Sequence, residues 1–163
     1  MIFVTVGTHE QPFDRLVSYM DRWAGIHDEE VVIQSGFATY VPLNCKWKRW
    51  FLYREMIRLV SDARLVITHG GASSFFMALQ VGKVPIVVPR RREYREHVNN
   101  HQVVFCNWIA QKQKCIIVVD NIRNMDAIIG NYEKIVRKMG NEQFQYDNSF
   151  CTKLGEIVEE LVR

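Results

Sequence analysis

Apolar positions along this chain collect into short Val- and Ile-rich runs, and the stretches between them carry helical period. The runs Ile2–Val6, Val31–Gln34, Leu65–Thr68, Pro85–Val88 and Cys115–Val119 read as strands. Helices are expected over about Pro12–Ala24, Tyr53–Val60, Ala72–Val81 and Glu96–Gln111, with others starting near Met125 and Cys151. Strands spaced by 10 to 16 residues of helical period require crossover connections, and crossovers build parallel sheets. The fold class expected is α/β: a Rossmann-like parallel sheet of about five strands with helices on both faces, in a single domain over residues 1–163. Phe37 to Trp50 is the longest irregular piece, and loops of that length are often functional.

Ligands of such sheets bind beyond the carboxyl ends of the strands, near the switch point of the strand order. In this chain that edge comprises Gly7-Thr8-His9-Glu10-Gln11, Ser35-Gly36, His69-Gly70-Gly71-Ala72-Ser73-Ser74 and Pro89 to His97. The turn at His69–Ser74 runs from an apolar strand through paired glycines into a helix N-terminus, where backbone can approach an anion and unpaired N–H groups face it. It reads equally as an ordinary strand-to-helix turn. Gly7-Thr8 opens a second such turn, with Pro12 in the first turn of the helix that follows. Neither GxGxxG nor a Walker lysine is present, which leaves the usual dinucleotide and P-loop folds poorly supported. Two glycine turns facing one crevice still favour a nucleotide diphosphate.

His9 lies in that crevice as a candidate acid–base or phosphate-binding group, or else as a capping or solvated residue. His69 suits either a ligand contact or a role in shaping the turn. The segment Pro89 to Gln102 is dense in Arg, Asn, His and Gln, including Arg90, His97, Asn100, His101 and Gln102. Arginine forks match phosphate oxygens, and the amides and imidazoles match sugar hydroxyls. The same segment also fits a solvated charge run. Lys46 to Arg54 interleaves cations with aromatic rings, a pattern that fits a membrane interface, a partner subunit or this domain's own core.

Composition narrows the field. With 163 residues, 48% of them hydrophobic, the chain can bury a proper core, and disorder is excluded. No apolar run approaches the roughly 20 residues needed to cross a bilayer, and Met1–Val6 has neither basic leader nor cleavage site, so a cytoplasmic location is expected. Cys45, Cys106, Cys115 and Cys151 form no CxxC pair, which points to buried thiols rather than zinc or disulfides. A net charge of +3 is too small to suggest nucleic acid.

Together, Phe3-Val4-Thr5-Val6-Gly7-Thr8-His9-Glu10-Gln11-Pro12-Phe13-Asp14-Arg15-Leu16, Gln34-Ser35-Gly36, Ile67-Thr68-His69-Gly70-Gly71-Ala72 with Ser74, and Val87-Val88-Pro89 through Glu96 to Gln102 resemble a known family. They look like the small bacterial exopolysaccharide glycosyltransferase subunits of glycosyltransferase family 28. They are similar also to the catalytic subunit that adds the second GlcNAc to dolichol-linked sugar. The resemblance spans most of residues 1–112 in order. It implies the C-terminal half of a GT-B glycosyltransferase, split so that a separate membrane-anchored subunit supplies the acceptor site. The implied reaction moves a hexose from a UDP-sugar to an undecaprenyl-diphosphate-linked acceptor, with inversion and without cofactor or metal. Helix N-termini and polar side chains would carry the leaving UDP. The chain would then sit peripherally at the inner face of the plasma membrane through its partner. The alternative is a non-catalytic accessory subunit that stabilises or activates a membrane-bound transferase.

The chain departs from that family at three positions. Met77 stands where relatives carry an acidic residue that grips ribose, Ser73 where a further glycine is common, and Asn100 where an acidic residue is common. Methionine accepts no such hydrogen bond. Finally, Leu154, Ile157, Val158 and Leu161 fall at helical spacing, which suits packing on the chain's own sheet or reaching a partner.

Overall fold

The computed structural model describes residues 1–139. The helix expected from Cys151 lies outside the described residues. Six strands, β1 (Ile2–Thr5), β2 (Val31–Gln34), β3 (Lys46–Lys48), β4 (Leu65–His69), β5 (Ile86–Val88) and β6 (Ile117–Val118), form one sheet in the order β3-β2-β1-β4-β5-β6. Every pairing is parallel. Thr5 lies opposite Gln34 on one side and Thr68 on the other, so the carboxyl ends of the three central strands are level.

The continuous apolar runs make sense because successive side chains serve opposite faces and both faces are covered. Ile2, Val4, Ile33, Leu65, Ile67, Ile86 and Val88 point to the face covered by α1 (Asp14–Ala24), α5 (Met125–Gly130) and α6 (Tyr132–Lys138). Phe3, Val32 and Val66 meet α2 (Tyr53–Asp62) and α3 (Ala72–Gln80) on the opposite face, where Val87 packs with α3 and α4 (His101–Gln113). From β1 the chain winds outward through β2 to β3, and from β4 it winds the other way through β5 to β6. The switch point therefore falls between β1 and β4, where the Gly7 and Gly70 turns begin.

Two elements differ from the sequence expectation. The sheet has six strands rather than about five, because Lys46–Lys48 pairs with β2 inside the stretch expected to be irregular. All three residues of this edge strand are exposed, so no core face imprints an apolar period on it. The helix expected from Glu96 begins at His101. Glu96 is instead drawn into the protein body, where its carboxylate accepts two bonds from Arg15, at 2.8 and 2.9 Å, and one from the Arg91 N–H at 3.0 Å. A short 3-10 turn, Arg92–Tyr94, and a left-handed Arg95 take up the preceding residues.

Candidate functional site

At the end of β4 the His69 ring is buried between two turns. Its Nδ1 accepts the Gly71 N–H at 3.0 Å, and its Nε2 lies 2.9 Å from Ser74 Oγ. With the Nδ1 lone pair so engaged, the neutral ring carries its proton on Nε2 and donates it to Ser74. Burial, followed by the nearby Arg90 charge, pushes its pKa down to about 3. The ring is thus neutral at physiological pH.

The glycines of both turns make room for protein side chains. A Cβ on Gly7 would stand 2.3 Å from His69 Nε2, and one on Gly71 would stand 2.2 Å from His69 Cε1. A Cβ on Gly70 would meet Cys106 Sγ and Gln102 Cβ at 2.9 Å, which shows how closely α4 approaches this turn. Their amides are also engaged: Gly7 N–H donates to Thr5 Oγ1, Gly70 N–H to Gln102 Oε1 and Gly71 N–H to His69. Thr8 is exposed beside them. At the start of α3, Ala72 and Ser73 are partly open to solvent, and their N–H groups have no acceptor among the described residues. They are the bare helix N-terminus that an anion would meet. Gly36 adopts φ +54° and passes so close to Gly7 that a Cβ would lie 2.6 Å from the Gly7 carbonyl. Ser35 beside it is buried, its N–H bonded to the Lys48 carbonyl at 3.0 Å.

Three further imidazoles form a row along the same edge. The His9 and His97 ring centroids are 4.5 Å apart, and those of His97 and His101 are 4.6 Å apart. His9 Nδ1 accepts the Gln11 N–H at 3.2 Å, and His97 Nδ1 accepts the Asn99 N–H at 3.5 Å. Each neutral ring is thereby set as an Nε2–H donor, which suits an oxyanion better than proton abstraction. His101 is the exception: its Nδ1 lies 2.5 Å from Asn99 Oδ1, an acceptor, so the lone pair of the neutral ring sits on Nε2. Burial and the charges of His9, His101 and Arg90 hold the His97 pKa below the usual histidine value. Among the described residues no group of three or more His, Cys, Asp or Glu is arranged to hold a metal ion.

The polar segment after β5 separates into exposed and internal parts. Arg90 is fully buried and braces the site from within: its guanidinium donates to the carbonyls of Val6 at 2.8 Å, Gln11 at 2.7 Å and Glu96 at 3.0 Å, and lies over the Phe13 ring. Burial lowers its pKa to about 10, which leaves it cationic at neutral pH. Gln102 is buried too, and its Oε1 accepts from both Gly70 and Arg90 N–H at 3.1 Å. Asn100 caps the exposed loop, accepting from Arg92 N–H and donating to Glu93. The sequence placed Arg15, Glu96, Phe37 and Trp50 only within longer segments and did not show that they pair. Arg15 and Glu96 form the pair that fixes the loop after β5, and the Phe37 and Trp50 rings meet edge-to-face at 5.2 Å beside Gly36. Met77 packs against the cluster of Phe3, Val32, Val60, Ala63, Val66 and Ala78.

A concavity of about 580 Å³, lined by Arg64, Tyr132, Arg137 and their neighbours, lies at the opposite, amino edge of the sheet, away from these groups. Among the described residues no helix is long and apolar enough to cross a membrane.

Known proteins share this fold. The family described as "Glycosyltransferase family 28 C-terminal domain" matches residues 1–161. No curated protein matches the chain. Among solved structures, it is similar to the glycotransferase of kitacinnamycin, with a TM-score of 0.55 and 15% identity over 87% of this chain and 38% of that one. It is similar also to CalG4, the calicheamicin glycosyltransferase, with a TM-score of 0.57 and 14% identity over 99% of this chain and 42% of that one. At such identities the likeness is one of fold, that of the C-terminal half of GT-B enzymes. The chain spans about two fifths of the length of either structure.

Proposed function

Because the chain belongs to the glycosyltransferase family 28 C-terminal domains, we propose that it is the UDP-sugar-binding catalytic subunit of a two-component glycosyltransferase, moving a hexose onto a lipid-linked acceptor in capsule or exopolysaccharide assembly. The observation that carries this reading is the convergence on one edge of two Nε2–H donors, on His9 and His97, with the open N-terminus of α3 at Ala72 and Ser73. In transfer, an acceptor hydroxyl attacks the anomeric carbon, its proton passing to water or to a base on the acceptor side, and the bond from that carbon to the diphosphate oxygen breaks, leaving its electron pair on UDP. Charge grows on the diphosphate as the bond breaks, so donors aimed at it stabilise the transition state more than the ground state. Nε2–H groups and helix amides already aimed at the diphosphate need no reorganisation to do this.

In this reading Thr8, Ser73 and Ser74 border the donor, His101 and Asn100 lie at its sugar end, and Gly7, Ser35, Gly36, Gly70, Gly71, Arg90, Gln102 and His69 hold the turns in place. A membrane-anchored subunit would cover this edge, bring the acceptor and keep this chain at the inner face of the membrane. One observation favours the accessory alternative: position 77 is a methionine, half-buried against the apolar cluster beneath α3, so α3 offers no carboxylate there for ribose hydroxyls. Calorimetric titration with UDP and a panel of UDP-sugars separates the two. The catalytic reading expects saturable binding, alone or with the partner subunit present, and absence of binding under both conditions overturns it.

A further inference from the structure

Where β2 and β3 end and α2 begins, four large apolar side chains stand in solvent. Phe37 and Trp50 are 45% and 44% exposed, and Leu52 and Tyr53 are 75% and 72% exposed. The cause is local: Phe51 is anchored against Phe3 in the core, with ring centroids 6.2 Å apart, so its neighbours Trp50 and Leu52 are turned outward. The sequence on either side of these residues is basic. Residues 37–58 hold five cations against the single carboxylate of Glu55, a surplus of four in a chain whose total is +3, so the rest of the chain is net negative. Three of those cations are paired, Lys46 with Glu30, Lys48 with Glu55 and Arg58 with Asp62. Arg49 and Arg54, which flank the exposed rings, are exposed and form no ion pair among the described residues.

We propose that this corner docks directly on an anionic bilayer surface, with the rings and Leu52 in the interfacial layer and Arg49 and Arg54 on lipid phosphates. Trp, Tyr and Arg are amphipathic side chains with an apolar body and a polar tip, the combination that settles at headgroup depth. Unpaired cations are drawn to an anionic leaflet, and two or more together with buried apolar surface make a reversible anchor. The corner lies on the same carboxyl edge as the imidazole row, so docking would turn the mouth of the donor site towards the membrane that holds a lipid-linked acceptor. That benefit rests on the catalytic reading, whereas the docking itself does not.

The test is co-sedimentation of the full chain with vesicles of POPC alone and of POPC with POPG, alongside Trp emission. The chain should sediment only with the POPG vesicles, with a blue shift and with loss of binding in high salt. Leu52→Ser combined with Tyr53→Ser should lower the association constant about tenfold or more, and so should Arg54→Glu alone. These exposed positions lie outside the donor site, and serine at the N-cap of α2 supports that helix. UDP-sugar affinity should be unchanged in both variants. Equal sedimentation with the two vesicle types overturns the proposal, as do variants that bind like the parent. A homodimer that the Leu52 and Tyr53 changes dissolve, without vesicle binding, also overturns it and assigns the corner to a second copy. Vesicle binding without UDP-sugar binding would sink the catalytic reading and leave the docking intact.

Discussion

The imidazole of His69 occupies the space that Gly7 leaves empty: a Cβ at Gly7 would stand 2.3 Å from the ring's Nε2. Residues from the ends of two different strands are thus interlocked at the switch point of the sheet, and each constrains what the other can become.

Gly7→Ala should therefore be costly for two separable reasons, the clash with His69 and the φ of +73°. A loss of about 3 kcal/mol in urea unfolding is expected. Combining it with His69→Ala removes the clash but leaves the backbone strain. The double variant should then be more stable than the summed single costs by about 1–2 kcal/mol. Strictly additive costs would show that the two residues do not meet.

The same ring makes stability depend on pH. Folded His69 is pushed down to about 3 from an ordinary value of 6.5, whereas the unfolded chain takes up the proton at the ordinary value. The unfolded state binds more protons below pH 6.5, so stability is complete above that pH and falls on acidification, by up to ~1.4 kcal/mol per pH unit. His97 is shifted in the same direction and adds to the slope. His69→Gln should remove about one proton of linkage between pH 6.5 and about 5, above the range in which most carboxylates protonate. Denaturation midpoints measured across that range give the slope, and an unchanged slope would rule out a buried neutral His69.

Arg90 and Arg92 stand two residues apart in one basic run, yet only Arg90 is buried, with its guanidinium on three carbonyls. Arg90→Lys cannot span Val6, Gln11 and Glu96 with a single ammonium, and a cost of about 3 kcal/mol is expected. Arg92→Ala, at an exposed position, should change stability by no more than about 0.5 kcal/mol. Similar costs at the two positions would mean that Arg90 does not brace the loops.

That contrast shows where sequence reading reaches and where it stops. Strands such as Ile2–Thr5 and Leu65–His69 were legible because burial on both faces writes itself as continuous apolar runs. β3 was not, because an exposed edge strand has no core face to record. The start of α4 moved from Glu96 to His101 because Arg15, 81 residues away, captures the Glu96 carboxylate, an ion pair that no local period encodes. The glycine turns were placed correctly, but a glycine reports only that a side chain is missing. Which atoms fill the gap, here His69, Gln102 and Cys106, depends on the tertiary packing.

The last expectation concerns the imidazole row, where the Gln11 N–H donor fixes His9 as an Nε2–H tautomer. If that N–H carries a phosphate oxygen of UDP, the position of the donor matters more than the presence of a ring. Glutamine extends its amide NH₂ to about the place of Nε2, and asparagine only to that of Nδ1. His9→Gln should thus hold the UDP dissociation constant within about threefold, and His9→Asn should raise it roughly tenfold or more, since a hydrogen bond to a charged group contributes about 1.5–3 kcal/mol. Calorimetric titration of both variants, after thermal melts confirm that each remains folded, gives the comparison. Equal losses in the two would assign His9 to shaping its loop. A loss in neither would remove it from the donor site and leave the N-terminus of α3 as the chief phosphate contact.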